Sequence, residues 1–289
     1  VSTSARTWRR LEGGELVRRG RDAAMIGGVW VYFAALILTP LGFLLREAFR
    51  EGVRAFWTAL LTPEAVHAFY VTLIVVGITC VVNTVSGVVV AFVLVRHRFF
   101  GRTFLDSLVE LPFSVSPVVA GYMVLIMYAP NFGWLGPLFD KWHIKIVFAL
   151  PAMVIATMFV TVPFVIRQVG PVLAEIGLEE EEAAKTLGAS SWTTFRRVTL
   201  PAIKWGLLYG FTLTLARGLG EFGMVLVVSG NIIRMTQTAT LHVHQTFTDY
   251  EYTAAYATSV VLAAVCFAIL IVSDLIKRRG GLRHAHQHR

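Results

Sequence analysis

Apolar residues in this chain gather into long unbroken runs rather than short alternating stretches. Six runs, near Met25–Leu45, Val66–Val95, Phe104–Ala129, Val147–Val169, Trp205–Ser229 and Ala254–Ile276, reach or exceed the roughly 20 residues that a helix needs to cross a bilayer core. Backbone groups in lipid must be satisfied internally, so the runs predict helices, and the lack of period-two alternation argues against a barrel. The second run is longer than a bilayer requires and is expected to tilt or to emerge at one end. The fold class predicted is an all-α polytopic membrane protein of about six transmembrane helices.

Composition strengthens this reading. Of 289 residues, 56% are hydrophobic and 15% charged, too few charges to cover a soluble globule of that length. One membrane domain, residues 25–278, is expected between basic tails at 1–24 and 279–289, with no signal pattern that would remove the first span. The net charge of +8 would suit nucleic acid in a soluble protein, but here it sorts by side. Nineteen Lys and Arg fall in 1–24, 96–102, 167–204 and 277–289, against six in the alternate connections. The positive-inside rule therefore places both termini and the loop at about 170–204 in the cytoplasm, and no nucleic acid is expected as a partner. Cys80 and Cys266 lie inside apolar runs and read as packing side chains. His284, His286 and His288 read as part of a solvated tail, since nothing around them supplies the geometry of a metal site.

The cytoplasmic loop carries a spaced pattern. Glu182-Ala183-Ala184 is followed after three residues by Gly188, and after nine more by Val198-Thr199-Leu200-Pro201. Pro171 is expected to interrupt the chain as it leaves the fourth span. Glu179 to Glu182 then open a helix, their charges complementing its dipole. Gly188 suits a left-handed end, and Ser190 or Ser191 suits the cap of a second helix carrying Trp192, Phe195 and Val198 on one face. The spacing resembles the EAA loop of ABC-importer permeases, Val198 standing where that pattern has Ile. The resemblance implies a coupling helix that docks on a separate ATPase subunit through Glu182, Ala183, Ala184, Gly188, Val198, Leu200 and Pro201.

Two further segments break the rules of an ordinary span. In Glu110-Leu111-Pro112-Phe113-Ser114-Val115-Ser116-Pro117, two prolines five residues apart should kink or break the third helix. The hydroxyls of Ser114 and Ser116 either re-satisfy freed backbone groups or line a path for an oxyanion. In Arg217-Gly218-Leu219-Gly220-Glu221-Phe222-Gly223, an Arg within a span needs a partner or water, and Glu221, four residues on, shares its face. That pair is either a structural ion pair or a gating, anion-sensing element, and the glycines allow close approach of a neighbouring helix.

Leu111–Gly121, the EAA loop, Ala216–Gly230 and Leu241-His242-Val243 together resemble the permeases of bacterial and plastid sulfate/thiosulfate ABC importers, the W-type subunit above all, over about Thr39 to Ala264. Departures fall at His244, where the family leads one to expect an acidic residue nearby, and at Tyr128-Ala129-Pro130-Asn131. The resemblance implies ABC ATPase subunits that hold ATP and Mg, a T-type sister permease, a periplasmic sulfate-binding protein and a bacterial inner-membrane location. The chain itself is expected to be non-catalytic and to bind no cofactor. It has no Gly-Lys dipeptide and so no P-loop, and it lacks metalloprotease and nucleophile-elbow motifs. It has no convincing catalytic acid pair beyond Asp106 and Glu110, which stand i,i+4 on one helix. Asn83 reads as an interhelical hydrogen-bonder. Rival readings are a molybdate or tungstate permease and, in a different class, an ion-gradient-driven transporter, which leaves the EAA spacing without an account.

Overall fold

The computed structural model describes residues 4–284, with side chains placed over 24–275, so the expectations for the histidine-bearing tail lie outside the described side chains. Helix α1 (Ser4–Ala48) carries the first apolar run, and α2 (Val53–Leu60) lies in the connection after it. The second run is α3 (Pro63–Arg96), whose start is built as its sequence demands: Thr62 accepts the Ala65 N–H, Pro63 opens the first turn and Glu64 follows.

The third run is not one helix. It is α4 (Arg102–Ser114) and α5 (Pro117–Tyr128), bent by 114°. Pro117 makes the break: it has no N–H to donate, and it holds Ser116 extended at φ −58, ψ 133. Pro112 sits within α4 without ending it.

After α6 (Gly136–Lys141) comes α7 (Leu150–Ile176), which continues through Pro163 and Pro171. The expected interruption at Pro171 does not occur. Val169 and Leu173, on either side of it, are both buried in the core, and that packing keeps the helix going until Gly177, at φ +70, ends it.

Next come α8 (Glu179–Thr186), α9 (Ser191–Thr194), a π-turn at Phe195–Thr199, α10 (Leu200–Leu219), α11 (Gly223–Ser229), α12 (Ala239–Thr248) and α13 (Tyr252–His284). The fifth run, read as one span over Trp205–Ser229, is therefore two helices separated at Gly220–Phe222. Five helices are long and apolar enough to cross a membrane, six with the bent pair as one span, and no strand is present among the described residues.

Helices α3, α7 and α10 form the centre. Lipid tails are as apolar as leucine, so close backbone approach rather than the hydrophobic effect must hold such helices together. Val165 of α7 shows how: Cβ atoms built at Gly87 of α3 and Gly210 of α10 would fall 2.7 Å and 2.9 Å from it. Asn83 adds the interhelical hydrogen bonds expected of it, donating to Thr161 Oγ1 at 2.8 Å and to the Met158 carbonyl at 3.0 Å. One core cluster, with Val75, Met153, Met224 and Leu241, lies toward α12. A second, with Val88, Ile166, Leu173 and Ile203, lies toward the α8–α9 hairpin. Over Ala24–Ala48 the most apolar stretch of α1 buries nothing inside the chain, and only Ala48 at its end is buried, in a cluster with Phe56, Leu60 and Ala257.

Candidate functional site

The EAA pattern folds into a tight hairpin. Helix α8 has all four of its glutamates in the first turn. It ends in a Schellman motif, in which Gly188 N–H donates to the Lys185 carbonyl at 2.9 Å and Ala189 N–H to the Ala184 carbonyl at 3.0 Å. Gly188 sits at φ +86 with no neighbour within 4 Å of a Cβ position, so backbone conformation rather than space selects glycine. Ser190, not Ser191, caps the next helix, accepting the Thr193 N–H at 3.3 Å.

That next helix has no end of its own. Through the π-turn it runs directly into α10, Leu200 N–H reaching the Phe195 carbonyl. The wider turn precedes Pro201, whose ring would otherwise meet the Arg197 carbonyl and whose missing N–H would leave a gap in a regular ladder. Glu182 and Ala183 are exposed, Ala184, Val198 and Leu200 are half-buried, and Pro201 is exposed in the first turn of α10. Leu187 is 88% exposed and Trp192, stacked on Phe195, is 68% exposed. A loop that leaves a leucine and a tryptophan uncovered presents an apolar contact surface.

Beside Glu182 lies a residue that sequence reading missed. Glu181 is buried, its Oε1 accepting from Arg96 Nη2 at 2.9 Å and from Thr199 Oγ1 at 3.0 Å. The two charged residues are 85 apart in sequence, and nothing in the run of four glutamates marks which one turns inward. A second clamp accounts for the acid pair of α4. Arg167 of α7 bridges Asp106 at 3.0 Å and Glu110 at 2.7 Å, so both carboxylates share one guanidinium.

The two rule-breaking segments meet in space, because α5 packs against α11. A Cβ at Gly121 would lie 2.9 Å from Val227 Cβ, and one at Gly223 would lie 3.0 Å from Pro117 Cβ. Gly218 faces Val76 and Thr157, whereas Gly220 approaches no other helix. Ser114 and Ser116 stand at the bend, both exposed and neither hydroxyl hydrogen-bonded, so they do not re-satisfy the broken backbone.

Arg217 and Glu221 form the expected ion pair at 2.7 Å, without an aligned hydrogen bond to Glu221 Oε2. Their surroundings differ. The Glu221 side chain is 2% exposed and caps α11, Oε1 accepting the Met224 N–H at 3.0 Å, while Arg217 is 35% exposed in the last turn of α10 rather than deep within a continuous span. Glu221 therefore has a structural task of its own, and Arg217 is the member open to its surroundings.

Beyond α11 the chain closes on itself through side-chain amides, of which Gln237 is buried and Asn231 and Gln245 are half-buried. Gln237 donates to Asn231 Oδ1 at 3.2 Å, Asn231 donates to Gln245 Oε1 at 3.0 Å, and Gln245 donates to Asp249 at 2.8 Å. Thr236 donates to the Ser229 carbonyl at 2.6 Å, and Thr72 of α3 accepts the Ala239 N–H at 2.8 Å. His242 Nδ1 lies 3.4 Å from Gln237 Oε1, and its buried Nε2 has no partner. Burial pushes its pKa below the ordinary histidine value, only partly opposed by Glu251 and Glu64. Among the described residues no group of three or more His, Cys, Asp or Glu could hold a metal ion.

Residues 83–280 match the family described as "Binding-protein-dependent transport system inner membrane component". The chain belongs to that family and is the membrane-embedded permease part of an ABC importer. It is similar to the sulfate transport system permease protein CysW of Synechocystis sp., with 46% identity over 86% of this chain and 90% of the relative. It is also similar to the sulfate transport system permease protein CysT of Escherichia coli K12, with 34% identity over 89% of this chain and 93% of that one. Among solved structures, a bacterial alginate ABC transporter in complex with an alginate pentasaccharide-bound periplasmic protein contains a chain of the same fold. The TM-score is 0.76 at 18% identity, covering 92% of this chain and 96% of the other.

Proposed function

We propose that this chain is the W-type permease subunit of an ATP-driven importer for sulfate or thiosulfate, paired with a T-type sister permease around a shared pathway. The observation that carries the cargo is its 46% identity to a cyanobacterial sulfate permease along nearly its whole length. The hairpin is its coupling element: Glu182, Ala183, Ala184 and Gly188 on one arm and Val198, Leu200 and Pro201 on the other form a surface moved by ATPase subunits. Those subunits hold ATP and Mg, and the permease hydrolyses nothing.

The alternate sorting of Lys and Arg supports a bacterial inner-membrane location with both termini and the hairpin in the cytoplasm. The opposite side then receives a periplasmic anion-binding protein, which makes most of the selection. Exposed hydroxyls at Ser114 and Ser116, beside the α5–α11 contact, offer a weakly binding route, and the part-exposed Arg217 is a second candidate for contact with the anion.

Purification in detergent with the neighbouring subunits, identification of these by mass spectrometry, and ATPase assays with sulfate, thiosulfate, molybdate and tungstate test the reading. Stimulation by sulfate through a binding protein is expected. Stimulation by molybdate alone, with two copies of this chain per complex, would replace the cargo, and recovery without any ATPase would favour an ion-gradient mechanism.

A further inference from the structure

We infer that Arg96, Glu181 and Thr199 form the joint through which movement of the hairpin reaches the membrane helices, making Arg96 and Glu181 positioning residues for coupling. The inference rests on the reading of the hairpin as the ATPase contact.

Apart from the helix that carries its second arm into α10, the hairpin is fastened to the rest of the chain by few buried side chains. Glu181 is the only buried residue of α8, Thr194 of α9 and Thr199 of the π-turn, so no apolar side chain of these elements is fully covered. A cavity of about 410 Å³ opens beside them, lined by Phe92, Arg96, Leu178, Lys185 and Phe195 among others, in place of a packed layer. The strongest link across this space is the ion pair, whose two side chains are each 7% exposed.

Its placement suits transmission. Arg96 is the last residue of α3 and Glu181 stands in the first turn of α8, so each charge also complements the dipole end of its own helix. Thr199 adds the root of α10 to the same carboxylate oxygen. Helix α3, 34 residues long, spans about 50 Å at 1.5 Å per residue, and near its other end Thr72 bonds the first turn of α12. A push on α8 is thus handed to one long helix whose far end touches the outer segment.

The test uses the complex with its ATPase in vesicles. A Val66→Cys reporter at the outer end of α3 is placed in a Cys80→Ser, Cys266→Ala background. ATP is expected to change maleimide labelling of the reporter in the parent complex. Glu181→Gln or Arg96→Gln should reduce that change by about fivefold or more at unchanged ATPase stoichiometry, as for a typical coupling between distant sites. The Arg96→Glu, Glu181→Arg exchange should restore most of it. If the pair only stabilises the fold, the single variants lower yield while the surviving complex responds to ATP as the parent does, and that result overturns the inference. Should the single variants fail to assemble, Thr199→Val removes one hydrogen bond and no charge: a weakened response supports the joint, and a parental one overturns it. A parent complex with no ATP response at the reporter overturns it as well. Failure to recover any ATPase defeats the coupling reading and the joint with it, whereas a parent that responds to ATP but takes up no sulfate defeats the cargo reading alone.

Discussion

The hairpin of α8 and α9 and the outer segment from Ser229 to Thr246 both connect long helices, and they are fastened in opposite ways. Each element of the hairpin buries a single residue, a polar one, and turns Leu187 and Trp192 to solvent. The outer segment buries Thr236, Gln237, Thr238, Ala239, Leu241, His242 and Thr246, and spends its polar groups on one another. The hairpin, proposed as the ATPase contact, keeps its apolar surface outside and buries little. A connection that must keep its shape satisfies itself. Changes in the hairpin should therefore alter transport with little effect on stability, and changes around the outer segment should do the reverse.

The largest effect expected is that of Gly188→Val. Forcing a β-branched residue to φ +86 costs about 1–3 kcal/mol, which is about 5- to 150-fold in a docking equilibrium. ATPase co-purification and uptake should both fall sharply while detergent melting of the permease is unchanged. Normal uptake would erase the contrast from the hairpin side.

Next is Arg217→Met, which leaves the Glu221 carboxylate buried without its cation. Breaking a fully buried pair costs about 3–5 kcal/mol, and the exposure of Arg217 reduces that figure. Melting should drop, and Glu221→Gln in the same chain should restore it, since the amide oxygen still caps α11. Restored melting with poor uptake would give Arg217 a role in the pathway, and full recovery of uptake would make the pair structural only.

Ser114→Ala with Ser116→Ala comes third. With no hydrogen bond to lose inside the protein, the double variant should melt like the parent. If the hydroxyls meet the passing anion, each is worth about 0.5–1.5 kcal/mol, so uptake at saturating sulfate should fall several-fold. Unchanged turnover would take both serines out of the pathway.

The smallest effect concerns His242. Its pKa is depressed in the folded state, so its neutral form contributes stability above the ordinary histidine value, and this is lost as pH falls through the depressed one. The hydrogen-exchange protection of residues 229–246, relative to the intrinsic rate at each pH, should fall on acidification, and His242→Gln should flatten that dependence. An equal fall in the variant would take His242 out of the pH dependence.

Legibility followed the same contrast. Four of the six spans as single helices, the break at Pro117, the turn at Gly188 and the Arg217–Glu221 pair were readable from local pattern, whereas the fifth run, read as one span, breaks at Gly220–Phe222. The failures came where distant packing decides. Burial of Val169 and Leu173 carries α7 past Pro171, and the joining of α9 to α10 depends on a π-turn that no residue type announces. The inward turn of Glu181 rather than Glu182 needs Arg96, which arrives from the end of another helix. The amide network from Asn231 to Asp249 had no periodic pattern to reveal it.

The π-turn gives the spacing of the motif a meaning beyond a residue count. Each residue of a helix winds the chain by about 100°, so the distance from Gly188 to Leu200-Pro201 sets an angular phase between the hairpin tip and the wall of α10. Deleting one residue from Phe195–Thr199 would turn the bulge into ordinary helix and keep that phase, because the wider turn absorbs one extra residue, whereas a deletion elsewhere between Gly188 and Leu200 would swing the tip toward another quadrant and aim its contact surface elsewhere. The family pattern is in this sense a protractor, and drift in its length should be tolerated less than drift in its letters.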